Sequence, residues 1–213
     1  MEIKDEQSLD QNTNLLPDRF ETLKELELSC RKRFIPILGK EKAKFLYDFV
    51  KKLNIESEKD KINNDENKKI PLKILELGTA SGYSGIILAS KGAKLLSLDF
   101  DHVSVKEANE NFKKFNVNAE SKLRVAEDYI KELSRIKEEV ESYDLIFLDF
   151  SKKKYHEVFP FCLKLLKKGG YLLADNVKSV YCMPFKHDIL NSRRLKTTLY
   201  TLDDDEFSVS KKN

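Results

Sequence analysis

Four acidic residues, Glu76, Asp99, Asp149 and Asp175, lie at the ends of short apolar runs, and Asn176 follows the last of them. In an open α/β sheet, ligands collect at the carboxyl ends of parallel strands, so four acids at one rim point to a binding site. Asp149, Asp175 and Asn176 bring two carboxylates and an amide carbonyl, hard oxygen donors of the kind Mg²⁺ takes, with water or substrate oxygens completing the octahedron. Glu76 and Asp99 flank a different feature. The stretch Lys73–Gly85, KILELGTASGYSG, joins an apolar strand to a helix through a glycine-rich turn. Gly78 and Gly82 let the backbone bend and approach a ligand, and the free amides opening the helix offer hydrogen-bond donors.

The glycines read G-x-x-x-G-x-x-G. That spacing is neither the G-x-G-x-x-G of dinucleotide folds nor a phosphate loop, whose closing Gly-Lys-Ser/Thr is missing. A carboxylate at Glu76 would repel a pyrophosphate but pair with an ammonium group. Asp99, at the end of the next apolar run and about twenty residues on, stands where a ribose diol would be held. A nucleoside carrying an amino acid meets both demands.

These residues carry a resemblance. ILELGTASGYS followed by LLSLD resembles the cofactor motifs of class I S-adenosylmethionine (SAM) dependent methyltransferases. Asp149–Tyr155 (DFSKKKY) and Gly169–Val177 (GGYLLADNV) are similar to the metal and catalytic motifs of the cation-dependent O-methyltransferases, the catechol and caffeoyl-CoA type. The resemblance runs from Pro71 to Val177. It implies an α/β fold with a three-layer Rossmann-like sheet, mostly parallel, closed by an antiparallel C-terminal hairpin strand. It implies SAM held by Glu76, Gly78, Gly82, Tyr83, Ser84 and Asp99, with Phe100, Ala126 and Glu127 toward the adenine and Asp149 beside them. It also implies Mg²⁺ or another divalent cation on Asp149, Asp175 and Asn176.

The family spacing D-x-x-K-x-x-Y is met by Asp149, Lys152 and Tyr155, and this position rather than charge singles out Lys152 as the proton acceptor. Lys153 and Lys154 then remain surface charge. A lysine of ordinary pKa, about 10.4, is a poor base at neutral pH, so desolvation or the cation must lower it. The implied reaction is methyl transfer to a hydroxyl of a small catechol-like or vicinal-diol acceptor, whose adjacent oxygens can chelate the cation. Two alternatives stay open. One is a hydroxylated tRNA base, with Lys152–Lys154, Lys186, Arg193 and Arg194 against phosphate. The other is a SAM-binding interaction module without catalysis, because Lys178–Tyr181 departs from the family's usual segment after Asn176.

The elements that must position these residues follow from the apolar pattern. A chain of 213 residues suits one domain. Residues 1–70 are expected to form a helical segment with a polar linker belonging to the same domain, and residues 71–213 the SAM-binding core. Helices are expected over Phe20–Phe34 and Lys40–Leu53, and Ile55–Ile70 reads as a solvated linker. Strands are expected near Ile74–Leu77, Lys94–Leu98, Lys122–Val125, Leu145–Leu148 and Tyr171–Ala174, with helical stripes between them, including Ile130, Leu133 and Ile136. A helix near Lys186–Leu195 and strands at Leu199–Leu202 and Phe207–Ser210 follow, around a solvated turn at Asp203–Asp205. Met1–Asn14 is expected to fray.

A formal net charge of +3 does not by itself imply nucleic acid. Cys30, Cys162 and Cys182 have no C-x-x-C spacing and read as reduced thiols. The polar, acidic start lacks a signal peptide pattern, and no apolar run reaches the length of a membrane span. The expected location is cytoplasmic, the expected partner a small-molecule acceptor, and the resemblance also allows a homodimer.

Overall fold

The computed structural model describes residues 19–63 and 70–213. The expected fraying of Met1–Asn14 and the end of the polar stretch, residues 64–69, fall outside them. The elements are α1 (Arg19–Lys32), α2 (Lys40–Asn63), β1 (Lys73–Leu77), α3 (Tyr83–Leu88), β2 (Lys94–Asp99), α4 (His102–Lys114) and β3 (Ala119–Leu123). They continue with α5 (Ala126–Leu133), β4 (Tyr143–Leu148), α6 (Tyr155–Leu165), β5 (Leu166–Ala174), α7 (Met183–Asn191), β6 (Leu195–Leu202) and β7 (Asp205–Lys212).

One seven-stranded sheet has the order β3-β2-β1-β4-β5-β7-β6. The first five strands in that order pair in parallel, and β7 runs antiparallel between β5 and β6. Helices cover both faces, so the central strands are apolar on both sides. Ile74, Leu95, Leu145 and Phe147 face a core shared with Leu46 and Val50 of α2, Ile86 of α3 and Phe112 of α4. Leu75, Leu77, Leu98, Ile146 and Leu148 face the other core, with Ile130 of α5, Val158 of α6 and Phe185 of α7. This is the expected three-layer sheet with its antiparallel hairpin.

Register explains the acidic rim. Leu77 pairs with both Leu98 and Leu148, and Leu148 with Ala174. The next residue of each strand therefore falls on one line: Gly78, Asp99, Asp149 and Asp175. Backbone bonds carry the pattern past the strand ends, with Gly78 N donating to Leu98 O at 2.9 Å, Asp149 N to Leu77 O at 2.9 Å and Asp175 N to Leu148 O at 3.0 Å. Glu76 is an exception to the expected row. It lies inside β1, opposite Ser97 and Phe147, one residue short of the end.

Several boundaries differ from expectation. Helix α2 runs on to Asn63, through half of the expected linker. A composition that buries no stripe can still extend a nucleated helix, because each added residue gains a hydrogen bond, and Glu and Lys are good helix formers. Strand β3 starts three residues earlier than expected, because of the two apolar cues Leu123 only ends a polar edge strand and Val125 lies beyond it, before α5, both half exposed. Helix α5 stops at Leu133, leaving Ile136 exposed. Helix α7 begins earlier, where Pro184 fits the first turn, and Leu195 instead opens β6. Among the described residues no helix is long and apolar enough to cross a membrane, and all three cysteines are free and buried.

Candidate active site

The turn between β1 and α3 is shaped by packing. Gly78 has φ +102, and a Cβ there would stand 2.0 Å from the Asp149 carbonyl oxygen, so only glycine lets β4 end beside it. Gly82 has φ +83, and a Cβ would press on Phe112 at 2.9 Å and on the Ala108 backbone of α4 at 3.1 Å. Asp99 holds the turn from the neighbouring strand. Its Oδ2 accepts from Thr79 N at 3.1 Å and Ala80 N at 3.0 Å, and its Oδ1 from Asp101 N at 3.0 Å.

A cavity of about 600 Å³ opens over this turn. Gly78, Tyr83, Ser84, Asp99, Phe100, Ala126, Glu127, Asp149 and Lys152 all line it. Pro36–Leu38, Arg124 and Phe150 also line it, and so does Lys154, expected as surface charge. The turn between α1 and α2 was not foreseen as a wall, and its only sequence signal is the apolar group Phe34–Leu38 surrounded by charge. Gly82 and Glu76 stand behind the lining.

Glu76 is fully buried, and its two oxygens accept from Ser84 Oγ and Ser97 Oγ, each at 2.6 Å. Ser97 bonds onward to Thr79 Oγ1, which accepts from Ser121 Oγ at 3.0 Å. A chain of buried hydroxyls thus crosses β3, β2 and β1 beneath the turn and reaches the cavity at Ser84. Burial pushes the Glu76 carboxyl up to about 8, the serine hydrogen bonds pull against that, and the charges of Asp149 and Asp99 add to it.

The three lysines after Asp149 point to different partners. Lys152 Nζ donates to Asp149 Oδ1 at 2.8 Å. Lys153 Nζ lies 4.6 Å from the centre of the Tyr181 ring. Lys154 Nζ donates to Glu157 at 2.8 Å and lies 3.7 Å from Glu127. Tyr155 is buried, and its hydroxyl donates to Leu148 O at 2.8 Å, fixing the end of β4.

Asp175 and Asn176 lie beside Asp149, outside the cavity lining, and meet two residues absent from the expected site. Lys42 of α2, nearly buried, places Nζ 2.6 Å from Asp175 Oδ1 and 3.1 Å from Asp205 Oδ2. Asn176 Nδ2 donates to the same Asp205 oxygen, and Asn176 N donates to Asp175 Oδ1 at 2.8 Å. The Asp203–Asp205 turn is therefore not simply solvated: Asp203 accepts from Glu41 N at 3.3 Å and Lys42 N at 2.9 Å, anchoring the start of α2, and Asp205 joins the site.

The donor set fits a divalent cation. The bonds just described leave Asp149 Oδ2, Asp175 Oδ2 and Asn176 Oδ1 unused, one oxygen from each residue. Desolvation raises the Asp175 carboxyl, and the Asp149 charge raises it further, against the pull of Lys42. A cation would relieve that repulsion. Among the described residues no three His, Cys, Asp or Glu side chains converge on a metal position; here the third donor is an amide.

The chain is similar to known O-methyltransferases. A family model described as O-methyltransferase matches residues 66–182. A catechol O-methyltransferase of Niastella koreensis is 33% identical over 109 residues, covering 49% of this chain and 48% of that protein. Catechol O-methyltransferase B of Danio rerio is 33% identical over 139 residues, covering 61% and 52%. The chain thus spans about half the length of the curated relatives it matches. Among solved structures, an O-methyltransferase from Bacillus cereus in complex with SAH superposes with a TM-score of 0.76 at 23% identity over 95% of both chains. One from Streptomyces achromogenes, in complex with SAM, gives 0.74 at 18% identity over 95% of this chain and 93% of its own. These two show that the fold is shared.

Proposed function

The chain belongs to the O-methyltransferase family, and from that premise we propose that it transfers the methyl group of SAM to a hydroxyl oxygen of a small catechol-like or vicinal-diol acceptor, with a divalent cation at Asp149, Asp175 and Asn176. One observation carries the reading. Asp149 lines the cavity with one face of its strand end, holds Lys152, and neighbours Asp175, so a cofactor pocket, an amine and a set of oxygen donors meet at one residue. The names of the two curated relatives support the acceptor class.

A bound cation would stabilise negative charge on the acceptor oxygen and make its hydroxyl more acidic. The protein supplies the rest. Asp99, with the Thr79 and Ala80 amides fixed on it, sets the cofactor end of the cavity. Lys152 Nζ, held at the rim by Asp149, receives the hydroxyl proton when its amine is neutral, and the methyl group passes from sulfonium to oxygen by in-line displacement. The turn after Asn176 is tied to the lysine run, with Cys182 Sγ donating to Lys152 O at 3.8 Å and the Tyr181 ring under Lys153 Nζ. Positioning and electrostatics account for the rate in such a step.

Three of the six basic residues considered for phosphate contact already have acidic partners, which supports a small acceptor at those positions. Lys152, Lys154 and Lys186 are each engaged by a carboxylate, of Asp149, Glu157 and Glu206 respectively. The test is methyl transfer from labelled SAM with Mg²⁺, offered a panel of catechols and, separately, total RNA, with and without EDTA. Label in catechols that disappears in EDTA is the expected result. Label in RNA would move the acceptor to a hydroxylated base, and SAM binding with no transfer to either would make the protein a binding module.

A further inference from the structure

An asparagine side chain has two ends of similar size and opposite hydrogen-bond sense, and only its oxygen can ligate a cation. Something must hold the amide the right way round. Asn176 sits at φ +55, in the left-handed region that asparagine tolerates, two residues past the end of β5. Its Nδ2 donates to Asp205 Oδ2. Asp205 is itself fixed: its Oδ1 accepts from Glu206 N at 2.7 Å, and its Oδ2 accepts from Lys42 Nζ at 3.1 Å. Lys42 is fixed in turn by Asp175 and by Asp203, whose carboxylate takes the Lys42 backbone amide.

We propose that Asp205 is a positioning residue of the cation site, gripping the nitrogen end of the Asn176 amide so that its oxygen is the end presented beside Asp149 and Asp175. The inference rests on the cation reading above and adds a residue outside the span matched by the family. Groups that orient metal ligands from behind are worth about 10- to 100-fold in metal affinity.

Asp205→Asn tests it directly. Asp205 accepts from three donors on two oxygens, so an asparagine there has no orientation that satisfies all of them. In the exchanged pair, Asn176→Asp with Asp205→Asn, both ends of the side chain at position 176 are oxygen, so its orientation no longer matters, and the total charge is kept. Asp204→Asn removes the same charge one position away, at an exposed residue outside the chain of bonds.

The probe is Mn²⁺, with the free ion counted by electron paramagnetic resonance on full-length protein without SAM or acceptor. SAM affinity and melting temperature are measured alongside. The parent is expected to bind Mn²⁺ and Asp149→Ala to lose it. Asp205→Asn should weaken Mn²⁺ binding about 10- to 100-fold with SAM affinity unchanged, the exchanged pair should recover it, and Asp204→Asn should match the parent. A parent that takes up no Mn²⁺, or takes it up equally as Asp149→Ala, overturns the cation reading and this inference with it. Given binding by the parent, three results overturn the inference alone: full affinity in Asp205→Asn, equal loss in Asp204→Asn, or no recovery in the exchanged pair. A fall in melting temperature and SAM affinity together, without a selective loss of Mn²⁺, would reduce Asp205 to a structural role and overturn it as well.

Discussion

Lys42 Nζ lies 2.6 Å from Asp175 Oδ1, with the two side chains only 5% and 6% exposed. Burial alone would lower the Lys42 ammonium, but its hydrogen bonds and charge pairing with Asp175 and Asp205 hold it above its ordinary value. Removing one partner of a buried pair leaves the other charge uncompensated, at a cost of about 3–5 kcal/mol. Lys42→Met should therefore lose stability on that scale in urea unfolding. A loss indistinguishable from that of a surface substitution would show that water reaches Asp175 and compensates it.

Glu76 predicts a pH dependence of opposite sense to that of most carboxylates. A carboxyl whose folded pKa lies above its unfolded value keeps a proton in the folded state that the unfolded chain has released. The stability it supports is complete below about pH 4.3, the unfolded value, and is lost as pH rises to about 8. Between those limits it contributes a decline of about 1.4 kcal/mol per pH unit. Glu76→Gln keeps a neutral polar group and should flatten that decline in urea melts of the cofactor-free protein. Parallel curves for parent and variant would mean that Glu76 is ionised throughout.

For Asp99 the expected outcome is a loss of cofactor affinity. Its carboxylate holds the Thr79 and Ala80 amides and lines the cavity. Hydrogen bonds to a charged group are worth about 1.5–3 kcal/mol each, so Asp99→Ala should weaken SAM by at least about tenfold in calorimetry. Unchanged affinity would remove Asp99 from the cofactor site.

The lysine run separates by partner, and the three substitutions should separate by effect. Lys152→Met keeps much of the stem and removes the amine, and should slow single-turnover methyl transfer by about 10²- to 10⁴-fold with SAM affinity intact. Lys153→Met, losing a contact with the Tyr181 ring, and Lys154→Met, losing the pairs with Glu157 and Glu127, should change it little. Equal losses at all three positions would replace the base by a general electrostatic effect.

What the sequence made legible is what local pattern determines. Asp99, Asp149 and Asp175 could be placed in a row because each follows an apolar run and parallel strands end together. Lys152 was set apart from its neighbours only by the resemblance to the family's D-x-x-K-x-x-Y spacing, and the structure has it on Asp149. Lys42 could not be found this way. It stands in Lys40-Glu41-Lys42-Ala43-Lys44, a charged run at the start of the expected helix, and its partner Asp205 is 163 positions away. No spacing rule connects them; only the pairing of β7 with β5 brings the Asp203–Asp205 turn over the first turn of α2. Strand β3 was misplaced for a related reason, since an edge strand half open to water has no continuous apolar run to announce it.

The place of β7 in the sheet makes β6 and the Asp203–Asp205 turn depend on it. β6 pairs with β7, and β7 alone joins it to β5, so a growing chain that has made β6 but not β7 has a strand with no place in the sheet. Asp205 is the first residue of β7, and Lys42 reaches it across almost the whole chain. The contacts that Asp205 makes with Asn176 and Lys42 thus depend on the antiparallel pairing of β7 with β5, and a substitution that loosened that pairing would release both at once.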